Sequence, residues 1–347
     1  MWTRCLSPLV ILWLLSLFIF PLQCEALLKQ SGLLLGTVVE ITILSPDETK
    51  ARRGMDAVFQ EIRRIEELMS FYRPESQVSQ INREAHPHRV QVGPEVFSLL
   101  KHARSLSELT QGAFDVTFAP LWQLWGRCAK ERRLPSAEEI QQAKALVDYR
   151  KLRLWEETQE VGLDLAGMQV NLGGIAKGYA LARAAEVMRQ EGLDNFFINV
   201  GGDICAQGAG KKARGWRVGI RHPRREGDFI GILCLRDMFV LTSGDYERYF
   251  EIRGERYHHI LDCRSGYPAS GCSQVTVLTR RLGREYLPSI VFFLLGPKRG
   301  LELLRGWTDL AGLFVSPEGE IRYTANITPY LEGDLSSRIE MAPVDDR

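Results

Sequence analysis

Two adjacent glycines, Gly173 and Gly174, stand between a strand-like segment and a helix, and they restrict this chain more than any other feature. The apolar residues 168–170 precede them, and apolar residues recur at helical spacing over Ala180–Gly192, where the final glycine is a typical helix stop. Glycine lets a backbone approach an anion closely, and the first turn of a helix presents unpaired N–H groups at the positive end of its dipole. Because Lys177 adds a full charge to that turn, the stretch predicts a pyrophosphate site.

The glycine spacing leaves a second interpretation open. It matches neither the G-x-G-x-x-G dinucleotide fingerprint nor the G-x-x-x-x-G-K-[ST] phosphate loop. The same residues could form an ordinary strand-to-helix turn with a solvated lysine.

Composition places the chain among ordinary folded proteins. Its 347 residues are 45% hydrophobic and 25% charged, with a formal net charge of +1, which argues against disorder and gives no sign of a nucleic-acid partner. We find no repeats and no linker rich in Pro, Gly or Ser. The irregular order of strands and helices predicts one large mixed α/β (α+β) domain over residues 27–331, followed by a loose tail over residues 332–347.

The first 26 residues have the character of a targeting segment. Arg4 precedes the apolar run Leu9–Phe20, which is short for a membrane span and has the length of a signal-peptide core. Cleavage after Ala26, lipid attachment at Cys24 and an uncleaved anchor are the three alternatives. Each predicts an exported protein on the periplasmic side of the inner membrane.

The cysteines do not form a metal motif. Of seven, five lie beyond the targeting segment, and none belongs to a C-x-x-C pair. Cys263 and Cys272 could close a loop through a disulfide, or both could be free and packed.

Hydrophobic periodicity and turn residues predict the other elements. We expect Met69–Asn82 to be a surface loop. Helices are predicted from Asp47 to Met69, from Pro94 to Thr110, from Ser136 to Val147 and from about Glu285. Strands are predicted from Val38 and at 152–155, 161–165, 168–170, 196–200, 216–220, 230–234, 239–242, 249–253, 256–260, 274–278, 313–315 and 321–323.

Three polar glycine turns follow apolar strands: Gly173-Gly174, Gly201–Asp203 and Ser243–Asp245. With His259 and Asp262 they could line one pocket at the strand ends. Glycine turns at strand ends are common, so each turn alone is weak evidence, and the argument depends on their combined order.

That order resembles the ApbE family, the FAD:protein FMN transferases, over most of the chain beyond the targeting segment. The matching segments are Leu35–Thr37, Ser70–Asn82, Gly112–Asp115, Asn171–Tyr179, Asn199–Asp203, Trp216–Pro223, Thr242–Arg248 and His259–Pro268.

The resemblance implies a reaction as well as a fold. The family binds FAD with Mg²⁺, cleaves its pyrophosphate, passes FMN to a threonine or serine hydroxyl of a target protein, and releases AMP. Exported members act on subunits of membrane redox complexes. In such phosphoryl transfer the protein mainly positions the reactants and neutralises charge.

The resemblance also assigns residues. His259 and Lys177 are the implied catalytic residues, with His259 either accepting the proton of the target hydroxyl or orienting the phosphate. A structural histidine is the alternative. Asn171 stands where the family usually has aspartate, and Leu35 where it often has methionine. The implied flavin-nucleotide contacts are Leu35, Tyr72, Ala113, Phe114, Asp115, Asn171, Gly173, Lys177, Gly202, Asp203, Ser243, Gly244, Asp245, His259 and Ile260.

The implied metal ligands depart most from the family pattern, which is Ala-Asp-x-x-x-Thr. Aligning the aspartate with Glu285 and the threonine with Ser289 places two oxygen ligands one helical turn apart, with a backbone carbonyl near Gly174 completing the site. This alignment needs one extra residue before Gly296. Without it, Tyr286 and Ile290 take those places. The departure leaves two rivals open: an exported FAD carrier without transferase activity, and an FAD pyrophosphatase.

Overall fold

The structure is a computed structural model that describes residues 26–211, 214–283 and 286–333. The predicted targeting segment up to residue 25, the implied ligand Glu285 and the tail beyond Gly333 lie outside the described residues. No helix in these ranges is long and apolar enough to span a bilayer.

The described strands are β1 (Ala26–Leu34), β2 (Thr37–Ser45), β3 (Val90–Gln91), β4 (Leu152–Trp155), β5 (Glu160–Leu163), β6 (Phe196–Val200), β7 (Asp203–Gln207), β8 (Trp216–Arg221), β9 (Phe229–Leu235), β10 (Met238–Gly244), β11 (Tyr249–Ile252), β12 (Glu255–His258), β13 (Leu261–Asp262), β14 (Tyr267–Pro268), β15 (Gln274–Thr279), β16 (Leu310–Val315), β17 (Ile321–Tyr323) and β18 (Leu331–Glu332). The described α-helices are α1 (Glu48–Met69), α2 (Gln77–Glu84), α3 (Pro94–Leu109), α4 (Ala119–Glu131), α5 (Ala137–Lys144), α6 (Ala176–Gln190) and α7 (Ser289–Arg305).

One eight-stranded sheet organises these elements, in the order β1-β2-β6-β7-β10-β15-β16-β17. Every neighbouring pair is antiparallel. Two smaller three-stranded sheets, β3-β5-β4 and β18-β9-β8, and the hairpins β11–β12 and β13–β14 surround it. This is a mixed α+β fold, as the sequence predicts.

The large sheet is covered on both faces. Side chains alternate along a strand, so in β10 Phe239 and Leu241 enter the larger core while Met238 and Val240 enter a smaller one. The larger core contains α1, α3, α6 and α7, and the smaller core lies against β8 and β9. The stripe predicted for α1, from Met55 to Met69, is buried as expected.

Helix starts follow local capping chemistry. Asp47 accepts a hydrogen bond from the Lys50 N–H at the start of α1, and Ser136 with Glu139 forms the predicted capping box of α5. Ser76 caps α2 in the same way. The loop predicted over Met69–Asn82 is therefore wrong from Gln77 onward.

The strand predicted at residues 168–170 is also wrong. The Val170 N–H donates to Asn82 Oδ1 over 2.7 Å, and the Val170 carbonyl accepts from Asn82 Nδ2 over 3.0 Å. An asparagine side chain thus satisfies the backbone groups that a neighbouring strand would otherwise bond. Strand β1 and helix α4 were not predicted.

Helix α7 begins at Ser289, four residues after the predicted start. Pro288 is its N-cap, with φ −72° and ψ 149°, and a proline disfavours helical backbone in the residue before it. Residues 286–288 are therefore not helical.

The cysteines in the described ranges, including Cys263 and Cys272, are free. Of the two alternatives for this pair, a disulfide or two free thiols, the structure therefore has the free thiols.

Candidate functional site

A cavity of about 690 Å³ lies where the glycine turns meet the start of α6. This volume is within the range of small-molecule sites. Most of the predicted site residues line it, namely Leu35, Tyr72, Phe114, Asp115, Asn171, Gly173, Gly174, Lys177, Gly202, Asp203, Ser243, Gly244, His259, Ile260 and Ser289.

The first glycine turn is held by Asn171. Its Oδ1 accepts from the Gly173 N–H over 2.8 Å, and its own N–H donates to the Val116 carbonyl over 2.9 Å. An aspartate would make the same turn with an added negative charge. Helix α6 then begins with no side-chain cap at Ile175, which leaves N–H groups of its first turn available for an anion.

Lys177 and Asp203 both line the cavity. Asp203 opens β7, is buried, and accepts from the Thr242 N–H over 3.1 Å. Burial raises the pKa of Asp203, while the Lys177 charge lowers it. The two side chains therefore interact electrostatically, although within the described ranges they do not form an ion pair.

His259 is half-buried beside the same cavity. Its backbone N–H and its Nδ1 both lie within hydrogen-bond distance of the Arg248 carbonyl, at 3.0 and 3.2 Å. A carbonyl only accepts, so Nδ1 carries the proton and Nε2 holds a lone pair. Burial, followed by nearby positive charge, lowers the pKa of His259 to about 4, so the imidazole is neutral near pH 7 and can accept a proton.

Arg248 lines the cavity mouth and was not among the predicted residues. Its guanidinium donates to the Gly36 carbonyl over 2.9 Å, between β1 and β2. Its own carbonyl holds His259. The sequence offered a signal, since Arg248 closes the polar turn that begins at Ser243.

Asp115 lines the cavity, but its carboxylate is bonded within the chain. It accepts from the Thr117 N–H, the Thr117 hydroxyl and the Tyr149 N–H at 2.7–2.8 Å. Burial outweighs these bonds and raises the pKa of Asp115 to about 6. Its main contact is thus with the loop that carries Phe114.

Two predicted site residues do not line the cavity. Ala113 is buried, and its carbonyl accepts from the Cys263 N–H. Asp245 is buried and receives two hydrogen bonds from Arg224 at 2.6 and 2.7 Å, with Arg256 at 3.7 Å. Asp245 therefore joins neighbouring loops rather than facing a ligand.

Aromatic side chains form one rim of the cavity. Tyr72 is 72% exposed, and its hydroxyl accepts from Trp122 Nε1 over 3.1 Å. Phe71 and Phe118 lie beside these two residues on the cavity wall. Such a rim offers flat apolar faces on which an aromatic ring system can stack.

Of the residues implied as metal ligands, Glu285 lies outside the described residues, so the complete ligand set stays a prediction. Ser289 Oγ lies 2.9 Å from Ser243 Oγ. A methyl group placed on Gly174 would lie 3.2 Å from the Phe114 ring and 3.6 Å from Ile290 Cδ1, so the side of Gly174 on which a Cβ would stand is apolar. Within the described residues no group of three His, Cys, Asp or Glu side chains could hold a metal.

The family model described as "ApbE family" matches residues 35–314. The chain belongs to the ApbE family. An FAD:protein FMN transferase of Klebsiella pneumoniae (strain 342) is 36% identical over 293 residues, which cover 84% of this chain and 90% of that protein. Another, of Treponema pallidum (strain Nichols), is 29% identical over 315 residues, or 86% and 87% of the two chains.

Solved structures agree with this assignment. The ApbE protein from Thermotoga maritima has a TM-score of 0.79 and 33% identity, covering 89% of this chain and all of that one. The flavin transferase ApbE from Vibrio cholerae has a TM-score of 0.77 and 25% identity, covering 88% of this chain and all of its own. The family and fold predicted from the sequence are confirmed, and the chain is a member of an enzyme family.

Proposed function

We propose that this ApbE protein is an FAD:protein FMN transferase that passes FMN to a threonine or serine hydroxyl of an exported or membrane redox protein. The observation that carries the proposal is the cavity itself. It combines a glycine turn at a helix start, an aromatic rim and a neutral histidine with a free lone pair. Membership of the family, whose curated relatives bear this name, supports it.

The proposed step balances as a phosphoryl transfer. The acceptor oxygen attacks the phosphorus on the riboflavin side of FAD, forming a new P–O bond. The bond from that phosphorus to the bridging oxygen breaks, and AMP leaves with the bridging oxygen. The hydroxyl proton moves to Nε2 of His259, which the Arg248 carbonyl orients through Nδ1.

Two features of the site favour this step. The uncapped start of α6, together with Lys177, supplies positive charge where a pyrophosphate would lie. The exposed Tyr72 and the partly buried Trp122, which both line the cavity, give a face for the isoalloxazine or adenine ring.

The resemblance also implies magnesium for this reaction. Of the implied ligands, Glu285 lies outside the described residues. Ser289 begins its helix rather than lying one helical turn beyond an acidic ligand, and it is engaged by Ser243. In the described part of the chain the donor set does not fit a magnesium site.

Export of the protein is also a proposal, which the Arg4 and Leu9–Phe20 pattern supports. A periplasmic location would bring the enzyme to the redox subunits that exported members of the family modify. Fractionation of cells, followed by mass determination of the N-terminal peptide, separates a cleaved, a lipidated and an uncleaved chain.

The deciding experiment incubates purified protein with FAD and an acceptor peptide that carries a threonine, and then weighs the peptide. A mass gain equal to one FMN less one water, with an equal amount of AMP, is the expected result. The matched control is the same peptide with alanine in place of the threonine. Free FMN and AMP without an adduct would identify a pyrophosphatase, and bound but intact FAD would identify a carrier.

A further inference from the structure

The pyrophosphate of FAD carries one negative charge on each phosphate, and a site for it must compensate both. A divalent cation would need oxygen ligands beside the glycine turn. On the α7 side of that turn, the Phe114 ring and Ile290 Cδ1 border the position that a Cβ on Gly174 would take, and neither is an oxygen ligand.

Tyr286 occupies the neighbouring space. Its buried hydroxyl donates to the Ile175 carbonyl over 2.5 Å, and a side chain at Gly178 would collide with its ring. The carbonyl at the start of α6 therefore has a fixed phenol partner. This arrangement matches the register in which Tyr286 and Ile290, rather than Glu285 and Ser289, take the places of the family's aspartate and threonine.

The carboxylates on the cavity wall are already engaged. Glu66 accepts from the Leu35 N–H over 2.8 Å and from Arg73. Glu247 pairs with Arg221 at 3.2 Å.

The two remaining acids, Asp115 and Asp203, accept hydrogen bonds from backbone N–H groups. In the residues that the structure describes, these four side chains are spread around the cavity and no three form a metal-binding group. At the turn itself Asn171 is uncharged.

Within the described ranges, two cations on the cavity wall form no ion pair with a carboxylate. Lys177 lies in the first turn of α6, and the Arg248 guanidinium donates one hydrogen bond to the neutral Gly36 carbonyl. Both line the cavity together with His259, and the Arg248 carbonyl lies 3.2 Å from His259 Nδ1. The two charges and the imidazole therefore share the cavity in which the transferred phosphorus would sit.

We propose that this chain binds FAD without a divalent cation, with Lys177 and Arg248 compensating the two pyrophosphate charges. The inference rests on the proposed function, because it takes FAD as the substrate. It adds which residues compensate the negative charge of the pyrophosphate. Arg248 has a second task, because its carbonyl fixes the tautomer of His259.

The test is a titration of the purified protein with FAD, followed by flavin fluorescence, once with EDTA and once with Mg²⁺. Affinities that agree within about twofold are expected. Lys177→Met and Arg248→Met each remove a charge-assisted contact and should weaken binding about tenfold in both solutions. Lys177→Arg keeps the charge and should recover most of the loss, which separates a charge effect from misfolding.

Arg225→Met is the matched control. It removes the same charge from an exposed arginine that pairs with Asp228 and does not line the cavity, so its affinity should stay within twofold of wild type. Circular dichroism melts of every variant check that each is folded.

Three outcomes would overturn the proposal. The first is a tenfold loss of FAD affinity in EDTA that Mg²⁺ restores. The second is a loss of FAD affinity in the Glu285→Ala variant. The third is FAD affinity equal to that of wild type in both the Lys177→Met and the Arg248→Met variants. The acceptor-peptide assay is independent of these results. Metal-free FAD binding without an FMN adduct would refute the transferase function and leave this inference standing.

Discussion

Replacing Tyr286 by phenylalanine tests the contact that holds the start of α6 against the segment before α7. The change deletes one hydroxyl and leaves the ring in place. That hydroxyl donates to the Ile175 carbonyl over 2.5 Å, and Tyr286 is 6% exposed. The rest of the packing, including the bond from His102 Nε2 to the Tyr286 carbonyl, does not depend on the hydroxyl.

The expected loss in the free energy of unfolding depends on which hydrogen bonds the Ile175 carbonyl retains in the variant. A buried hydrogen bond contributes about 0.5–1.5 kcal/mol net, and an orphaned buried acceptor costs more. The Ile175 carbonyl still accepts from the Tyr179 N–H at 3.2 Å, so it is not orphaned. We therefore expect Tyr286→Phe to lower the free energy of unfolding by about 1 kcal/mol, whereas Tyr286→Ala, which also leaves a cavity, should cost about 3–5 kcal/mol.

Urea unfolding followed by circular dichroism measures both values. The midpoint should fall while the slope of free energy against urea stays constant, because the exposed surface hardly changes. A Tyr286→Phe protein as stable as wild type would mean that the hydroxyl does not bond Ile175 in solution, and the argument for a filled site beside α6 would fail with it.

Three further predictions concern charged groups. Burial raises the pKa of Asp115 to about 6, so the protonated carboxyl favours the folded state. As pH rises from about 4 to 6, the free energy of unfolding of wild type should therefore fall by up to about 3 kcal/mol relative to that of Asp115→Asn, as measured by urea titration at each pH. A slope of the opposite sign would contradict this. The pKa of His259 near 4 predicts that kcat/KM for FMN transfer persists at pH 5 and falls below about pH 4, unlike a profile that breaks near 6.5. Asp245→Ala removes two charge-assisted hydrogen bonds from Arg224, whose side chain is 36% exposed and stays solvated, and should destabilise the fold by about 1–3 kcal/mol; an unchanged midpoint in thermal melts would refute that role.

Local patterns predicted much of the fold because they act over a few residues. The buried stripe of α1, the capping box of α5 and the glycine turn between β6 and β7 depend on neighbours in sequence. The α7 start is an instructive error: apolar periodicity extended the helix back to Glu285, although Pro288 favours a boundary there. The bond between Asn82 and Val170 joins residues 88 apart, and no local pattern reports it.

The sequence predicted the glycine turns of the site, but it did not predict which charged side chains on the cavity wall remain without an ion-pair partner. Lys177 and His259 stand in distinctive motifs, and both line the cavity. Arg248 is adjacent to Glu247 in sequence, which suggests a satisfied pair. The fold instead pairs Glu247 with Arg221, 26 residues away, and leaves Arg248 with a carbonyl. Which of several arginines remains uncompensated depends on tertiary distances that the sequence does not contain.

The sheet order has a consequence for how the protein folds. The cavity is lined by residues from Leu35 to Leu294, and β2 pairs with β6, more than 150 residues later in the chain. Contacts so distant in sequence close late, because loop entropy opposes them. FAD that binds this wall would recognise only the finished fold, and at a concentration 100 times its dissociation constant it would add about 2.7 kcal/mol to stability. FAD would thus act on this chain as a folding ligand before it serves as a reactant.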